Sequence, residues 1–344
     1  MTQYLKNTWY QAGWSDELPP YESTISKPLA RTICEVPIVF FRTADGAVTA
    51  LFDRCPHRFA PLSAGRAGPD RIACGYHGLE FGVDGNCVHN PHGPVVSALT
   101  VRSFPVIERH TAIWVWLGDA ERVDPALLPD LGYIDETPAP ARIVGYMPTM
   151  ANYQLLTDNI LDLSHADYLH PTSLGGFNTA AKTTNRQDGN RVRVDWLADD
   201  CVAPPAFRAG LNGAERADMW IEVVWQAPAL MTLTFAASPA GAPRRPEDEG
   251  YTLHNMVPET ATTTHYFYCA TRRFKLDDER FSGFLKGALA QAFNEEDKPM
   301  LELQQARIGS HDFWDLEPVL LKIDGASTRV RRTLQAMIEA EAHN

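Results

Sequence analysis

The chain has 344 residues, 44% of them hydrophobic and 22% charged, with a formal net charge of −12. That length suits two or three domains with sizeable cores, and the acidic balance argues against a nucleic-acid footprint and against binding to an anionic membrane. The opening "MTQYLKNTWYQAGW" has no continuous apolar run, and no segment approaches about 18 uncharged apolar residues, so neither secretion nor a membrane span is expected and a cytoplasmic location is the default. Six cysteines are too sparse for a disulfide scaffold, and two of them sit beside histidines, which fits reducing surroundings and metal binding.

Taken in chain order, residues 31–53 read as two strands joined at Asp45-Gly46, a hairpin-turn pair. Further short strands are expected at "RIAC", "LEFGVDGNCV", "VRSFPVIERH" and "TAIWVWLG", punctuated by glycine and proline, which together make an all-β module of roughly 120 residues. The proline-rich, acidic "DPALLPDLGYIDETPAP" then marks a seam. A helix over "QLLTDNILDLSHADYL" follows, then strands at "RVRVDWLA", "WIEVVWQA", "LMTLTFAA", "YTLHNMVP" and "TTHYFYCA". A long helical region covers "ERFSGFLKGALAQAFNEEDKPMLELQQARI", and "TRVRRTLQAMIEAEA" closes the chain. Strands grouped between helices predict an α+β domain with a central antiparallel sheet.

Two clusters carry chemistry. The first is Cys55 and His57, then Cys74 and His77. Zinc would need all four in one tetrahedron, yet structural zinc motifs usually place two to four residues between the first two ligands and here only Pro56 intervenes. The alternative is a [2Fe–2S] centre with both cysteines on one iron and both histidines on the other, each loop supplying one ligand to each metal. Pro56, Pro61, Gly65, Gly75 and Gly78 suit tight turns around such a centre. Cys34 and Cys269, in apolar strands, read as core thiols; Cys87 is close to a ligand set that is already complete, and Cys201 has no assigned role.

The second cluster is "NYQLLTDNILDLSHADYLHP", with Asn159, Asp162, His165 and His170. Asp162 and His165 are neighbours on one helical face. His165 and His170, five apart, would lie about 140° apart on a regular helix, so both reach one metal only if the helix widens into a π-bulge or ends between them, and Pro171 favours an ending. Two histidines and one carboxylate make the facial triad of non-haem Fe(II). The carboxylate is Asp162 or one of Glu295, Glu296, Asp297 and Glu302. Zinc, manganese or purely structural histidines are the alternatives, and an electron-carrier motif upstream favours iron, since a redox-silent metal needs no relay.

"CPHRFAPLSAG" with "CGYHGLEF", then "DNILDLSHADYLH" and a late "EED", resembles the oxygenase components of the Rieske non-haem iron aromatic-ring oxygenases, in the branch of vanillate O-demethylase and dicamba monooxygenase. "NTWYQAGW", "CVHNPHG", "APPAFRAGL" and "LKIDGASTRVRRTLQAM" extend the likeness over nearly the whole chain. The resemblance implies a Rieske [2Fe–2S] domain over 1–125 and a mononuclear-iron catalytic domain over 126–344, with Cys55, His57, Cys74 and His77 holding the cluster and His165, His170 and Asp297 holding one Fe(II). It makes Asp162 a bridge from His165 to His77 of the partner subunit in a head-to-tail homotrimer. It also implies a flavin or ferredoxin-type reductase drawing electrons from NADH or NADPH, O2, and a small aromatic substrate such as a vanillate-like methoxybenzoate, whose methyl group is hydroxylated and leaves as formaldehyde. A related monooxygenase attacking an aryl-methyl, N-methyl or ring position, or, from another class, an electron carrier or zinc-stabilised binding protein, are the competing readings.

For the substrate pocket the candidates are Asn159, Thr232, Thr234, His254 and Tyr266. By resemblance, His254 lies near a carboxylate-contacting position, while Gly287 stands where the dicamba-type enzyme carries a pocket tryptophan, a departure in substrate. His89 and His92 read as loop or interface residues, and "PRRPEDEG", 243–250, as an exposed loop flanking the entrance.

Overall fold

Short strands ended by glycine, proline and aspartate turns build the first of two compact units, Met1–Leu131, and one large antiparallel sheet builds the second, Gly132–Asn344. The computed structural model describes residues 4–22, 27–208, 210–211 and 213–343; the first three residues of the opening stretch and Ala209 of "APPAFRAGL" lie outside them.

Among its described residues the first unit holds three small sheets. Trp9–Trp14, Ala112–Trp116 and Val106–Arg109 form one, and Leu29–Ile33, Val36–Arg42, Val48–Phe52 and Ser103–Phe104 the second. The reading of 31–53 as two strands is corrected to three. Cys34 and Glu35, with φ of 50° and 66°, make an additional two-residue hairpin turn, so Cys34 is buried as expected but in a turn rather than a strand.

The third sheet, Arg66–Ala67, Arg71–Ala73, Glu80–Gly82 and Cys87–His89, frames two loops of matching build. Cys55 N–H donates to the Ala60 carbonyl (2.9 Å) and Phe59 N–H to the Cys55 carbonyl (3.0 Å); Cys74 N–H donates to the Leu79 carbonyl (2.7 Å) and Gly78 N–H to the Cys74 carbonyl (3.0 Å). Phe59 and Gly78, each four residues past its cysteine, are both left-handed, at φ 61° and 73°. The loops approach closely through glycine: a Cβ on Gly65 would sit 1.9 Å from the Ala73 carbonyl oxygen. Beneath them a core of Val39, Phe41, Leu51, Ile72 and Phe81 encloses both cysteines.

In the second unit seven strands run antiparallel in the spatial order Arg142–Thr149, Thr263–Arg272, Glu249–Thr260, Leu230–Pro239, Arg216–Gln226, Arg191–Val202, Lys182–Asp188. The two edge strands carry no clear apolar alternation, which is why the sequence pattern passes over them: one contains Gly145 and Pro148, tolerated at an edge, and the other is exposed throughout. Tyr153–Leu161 is N-capped by the Asn152 side chain and buries Leu155, Leu156 and Ile160. The long late helix runs as Glu279–Ala290, a π-helical stretch Gln291–Asp297, and Lys298–Ile308. The final helix, Gly325–Ala342, fastens back onto the first through Arg331, whose Nε and Nη2 donate to Asp158 at 2.9 and 2.6 Å.

Gly65→Ala is expected to cost about 1–3 kcal/mol, because the added methyl meets main chain that cannot turn away. Gly283→Ala, on an open helical surface, is expected to gain about 0.5–1 kcal/mol. Denaturant melts of the two variants check the contrast.

Candidate active site

The helix expected over 154–169 is broken. It stops at Leu161, because Asp162 adopts φ −129° and ψ 97°, and its carboxylate accepts from the backbone N–H and the hydroxyl of Ser164, both at 3.0 Å. Helix resumes as the short turns Leu163–His165 and Ala166–Leu169 and ends at His170. That ending answers the angular problem posed by the five-residue spacing. The π distortion occurs instead in the late helix, where the wider turn carries Glu296 and Asp297 to the histidines.

Three side chains converge there. One ligand atom each from His165, His170 and Asp297 lies within 4.8 Å of the others. Asp297 Oδ1 is 3.4 Å from His165 Nε2 and 3.1 Å from His170 Nε2, and it also accepts from Asn159 Nδ2 at 3.1 Å. The outer nitrogens are occupied: His170 Nδ1 is 2.6 Å from Glu296 Oε2, and His165 Nδ1 is 2.6 Å from the Asp162 carbonyl oxygen. Each Nε2 thereby faces inward, a hydrogen-bond donor to Asp297 when the ring is protonated and a lone-pair donor to a cation when it is neutral. Within this chain Asp162 reaches His165 by a different atom from the carboxylate expected to bridge. Its main-chain carbonyl holds His165, while the carboxylate, placed at the helix break, caps the next turn.

The electrostatics favour a cation. Burial opposes ionisation of Asp297, yet its bonds to His165 and His170 hold its carboxyl down at about 2. Burial likewise opposes charge on His170, but Asp297 and Glu296 prevail and raise its pKa. Two carboxylates around two imidazoles thus suit a divalent metal ion, and the 2-His-1-carboxylate set is the one expected for iron.

In the first unit, Cys55 and Cys74 are 2% and 3% exposed, whereas the rings of His57 and His77 sit at the outer edge, 4.6 Å apart between centroids. Burial raises the Cys55 thiol, opposed by the N–H of His57 and raised further by Cys74 beside it. Two adjacent thiols inside and two imidazoles outside, on matched loops, fit a [2Fe–2S] centre with mixed ligation. His92, expected to be a loop residue, backs this edge: its Nε2 lies 2.9 Å from the His77 carbonyl oxygen.

A cavity of about 280 Å³ opens on His165, His170 and Asp297 and is walled by Leu233, Phe235, Phe281, Leu285, Leu289 and Phe293. His254 lines it, as expected, but Thr232, Thr234 and Tyr266 do not. Strand side chains alternate between faces, and the register pairs Leu233 with Thr252 and Met231 with His254. Leu233, Phe235 and Thr252 therefore share the His254 face, and Thr232 and Thr234 point away. Taking His254 as a face marker and counting in twos across the hairpin is the signal that finds Thr252. Tyr266 lies behind His254, its hydroxyl 2.5 Å from Nδ1. Asn159 belongs to the metal cluster and a groove on the other side, not to this cavity. Gly287 is exposed and faces open space; Leu285 and Leu289 are what the late helix presents. Of the stretch 243–250 expected to be an exposed loop, residues 243–247 are exposed, whereas Asp248 and Glu249 are half-buried and Gly250 is buried in the strand Glu249–Thr260; Arg245 and Asp248 reach the cavity.

Residues 8–105 match the Rieske [2Fe-2S] domain, and residues 149–340 match the vanillate O-demethylase oxygenase C-terminal domain. The chain belongs to the Rieske non-haem iron oxygenases of that O-demethylase group. It is 36% identical to the oxygenase component of dicamba O-demethylase from Stenotrophomonas maltophilia, over 98% of this chain and 99% of that protein. It is 36% identical also to the oxygenase component of chloroacetanilide N-alkylformylase from Rhizorhabdus wittichii, over 98% and 97%. The crystal structure of dicamba monooxygenase with non-heme iron and dicamba matches with a TM-score of 0.81 at 34% identity, covering 100% of this chain and 99% of that one. The chain is thus a Rieske non-haem iron monooxygenase component of the O-demethylase and N-dealkylase type, with a [2Fe–2S] cluster and a mononuclear iron as cofactors. The readings as an electron carrier or a zinc-stabilised binding protein fall away, because neither accounts for a catalytic C-terminal domain. Among the described residues no helix is long and apolar enough to cross a membrane.

Glu296→Gln removes the carboxylate that orients His170, and iron affinity is expected to fall about 10–100-fold. Titration of the iron-stripped variant with Fe(II) under anaerobic conditions checks this; an unchanged affinity contradicts it.

Proposed function

We propose that this chain is the terminal oxygenase that removes the methyl group of an aryl methyl ether of about vanillate's size. The observation that supports it most is the apolar cavity, of a volume at the small end of ligand sites, ending on His165, His170 and Asp297. In this assignment His165, His170 and Asp297 hold the mononuclear iron, Cys55 and Cys74 hold one iron of the cluster, and His57 and His77 hold the other. Bound there, iron supplies dioxygen activation. The chain's own residues orient and exclude: Phe293, Leu285 and Leu289 close an apolar wall over the ring, Asn159 steadies the Asp297 carboxylate, and Glu296 and the Asp162 carbonyl fix the imidazole planes.

The balance of the reaction is one methyl ether, one O2, two electrons and two protons giving a hemiacetal and water. The hemiacetal C–O bond then breaks to leave a phenol and formaldehyde. The electrons come from NADH or NADPH through a flavin or ferredoxin-type reductase, consistent with relatives described as oxygenase components of larger systems. Hydroxylation of an N-bound carbon would release the alkyl group by the same route, and the likeness to an N-alkylformylase supports that as the second reading.

The working form is a head-to-tail homotrimer, in which the cluster of one subunit serves the iron of the next. A groove lined by Asn159, Asp162 and His165 supports this: it is bordered by Trp314, Val319 and Leu320, of which Val319 is 87% exposed, an apolar rim that a second copy would cover. Asp162 also lines this groove, and in this reading its carboxylate is the contact for His77 of the partner subunit. Asp162→Asn is expected to keep both cofactors and the Ser164 cap while slowing reduction of the mononuclear iron by at least about tenfold; stopped-flow single turnover measures it, and a wild-type rate rejects the bridge.

Purified enzyme with reductase, NADH, O2 and a panel of methoxyarenes is expected to release formaldehyde equimolar with substrate consumed. Ring-hydroxylated product without formaldehyde contradicts demethylation.

A further inference from the structure

We propose that Tyr266 is a redox-active residue: its phenol, hydrogen-bonded to His254 Nδ1, gives an electron to an oxygen-derived oxidant in the cavity when no substrate is there to consume it. The inference needs iron at His165, His170 and Asp297, but it does not depend on which carbon the enzyme hydroxylates.

A site that activates dioxygen inside a protein must also dispose of oxidising equivalents that find no substrate. Among the described residues the cavity wall is mostly leucine, isoleucine and phenylalanine, none of them an easy electron donor. Tyr266 stands one residue behind that wall. It is 3% exposed, its hydroxyl lies 2.5 Å from His254 Nδ1, and its ring centroid is 6.0 Å from that of Phe293. His254 and Phe293 both line the cavity, and Phe293 sits four residues before Asp297 on the π-helical stretch.

The hydrogen bond supplies the chemistry. A buried O–H left without an acceptor is unfavourable, and the Tyr266 hydroxyl makes its one hydrogen bond, among the described residues, to Nδ1; the hydroxyl therefore donates and Nδ1 accepts. A neutral phenol gives up an electron readily only when its proton leaves with it, which requires a base already in place. Burial pushes the His254 imidazole down to about 3, so the ring is neutral and Nδ1 carries a lone pair. An oxidised phenol is a far stronger acid than an imidazolium, so the proton moves to nitrogen even in that buried place. In this step the Tyr266 O–H bond breaks, an Nδ1–H bond forms and one electron passes to the oxidant, leaving a neutral phenoxyl radical beside a His254 cation. An electron from the reductase or from a soluble thiol then restores the phenol, and the proton returns from Nδ1.

Tyr268 is the onward path. The register pairs His254 with Tyr268 and Met256 with Tyr266, so all four share one face of the sheet. The Tyr266 and Tyr268 rings are 5.9 Å apart between centroids. Tyr268 then lies over Gly145 of the edge strand Arg142–Thr149, where an added Cβ would sit 2.4 Å from its hydroxyl oxygen; glycine there lets the ring run to the sheet edge. A second tyrosine–histidine pair, Tyr146 with His265 at 2.8 Å, occupies the opposite face, because Tyr146 pairs with Phe267 where Gly145 pairs with Tyr268. That pair has the same chemistry away from the cavity and serves as an internal control.

Iron-loaded enzyme with its cluster oxidised and no substrate present is mixed with hydrogen peroxide, freeze-quenched and measured by paramagnetic resonance. Protein carrying ring-deuterated tyrosine identifies the radical. The wild type is expected to show a tyrosyl signal that narrows on deuteration; Tyr266→Phe is expected to lose it and Tyr146→Phe to keep it. Peptide mass spectrometry of Tyr266→Phe is expected to find several-fold more oxidised His165 and His170 per peroxide consumed. A wild type with full iron and no tyrosyl signal, or an undiminished signal in Tyr266→Phe, overturns the inference. If Tyr266→Phe does not fold, spin trapping of the wild type with peptide mapping decides: adducts on the peptide carrying Tyr266 and Tyr268 support the inference, and their absence from it overturns it. Formaldehyde release is followed on the same preparations. Its absence with the tyrosyl signal present rejects the demethylase reading and leaves this one standing; a missing signal with formaldehyde released does the reverse.

Discussion

Two imidazole nitrogens meeting one oxygen of a buried carboxylate is the constraint on which the second unit depends. Asp297 has lost most of its water, and a carboxylate in that position is unfavourable unless something positive or hydrogen-bonding faces it. His165 and His170 face it with Nε2 because their Nδ1 atoms are already taken by the Asp162 carbonyl and by Glu296. The helix break at Asp162 and the π-helical turn at Gln291–Asp297 are the two backbone irregularities that make this convergence geometrically available. Remove either and a regular helix carries one of the three groups away.

The same logic of inside and outside organises the first unit. Cysteine sulfurs are enclosed by the apolar core while the histidine edge faces outward, so an electron held between them would enter and leave through imidazole rather than through packed hydrocarbon. Exposed Phe59 and Tyr76 flank that edge, with Tyr76 tilted over His77 at 3.9 Å between ring centroids. In the catalytic unit, by contrast, the cavity is apolar on most sides and polar along one strand. Binding strength there would come from enclosing a ring and orientation from one or two hydrogen bonds.

Much of this was legible in the chain, and for identifiable reasons. The Cys-x-His pair followed by Cys-x-x-His stands out as a metal-binding set in the sequence, and histidines five apart before a proline already required an irregular helix. The strand face at 232–234 was read one residue out of phase, because Thr232 and Thr234 offer polar groups while the cavity is walled by the apolar alternation that includes Leu233 and Phe235; pairing with His254 across the hairpin settles the face. The Cys34–Glu35 turn lacks the glycine or asparagine that usually marks such a hairpin, so three strands read as two. Edge strands Arg142–Thr149 and Lys182–Asp188 show too little alternation to stand out. The role of the Asp162 carbonyl is invisible in any sequence pattern, since every residue has one.

The central claim is that two iron centres of different ligation occupy one chain, the second held by His165, His170 and Asp297. Iron and acid-labile sulfide analysis of the wild type and of His170→Ala, combined with paramagnetic resonance of the reduced cluster, tests it most directly. The account predicts about three iron and two sulfide per chain in the wild type, with loss of about one iron and an unaltered cluster signal in the variant. A variant that keeps its full iron, or a wild-type protein holding zinc and no sulfide, would contradict it.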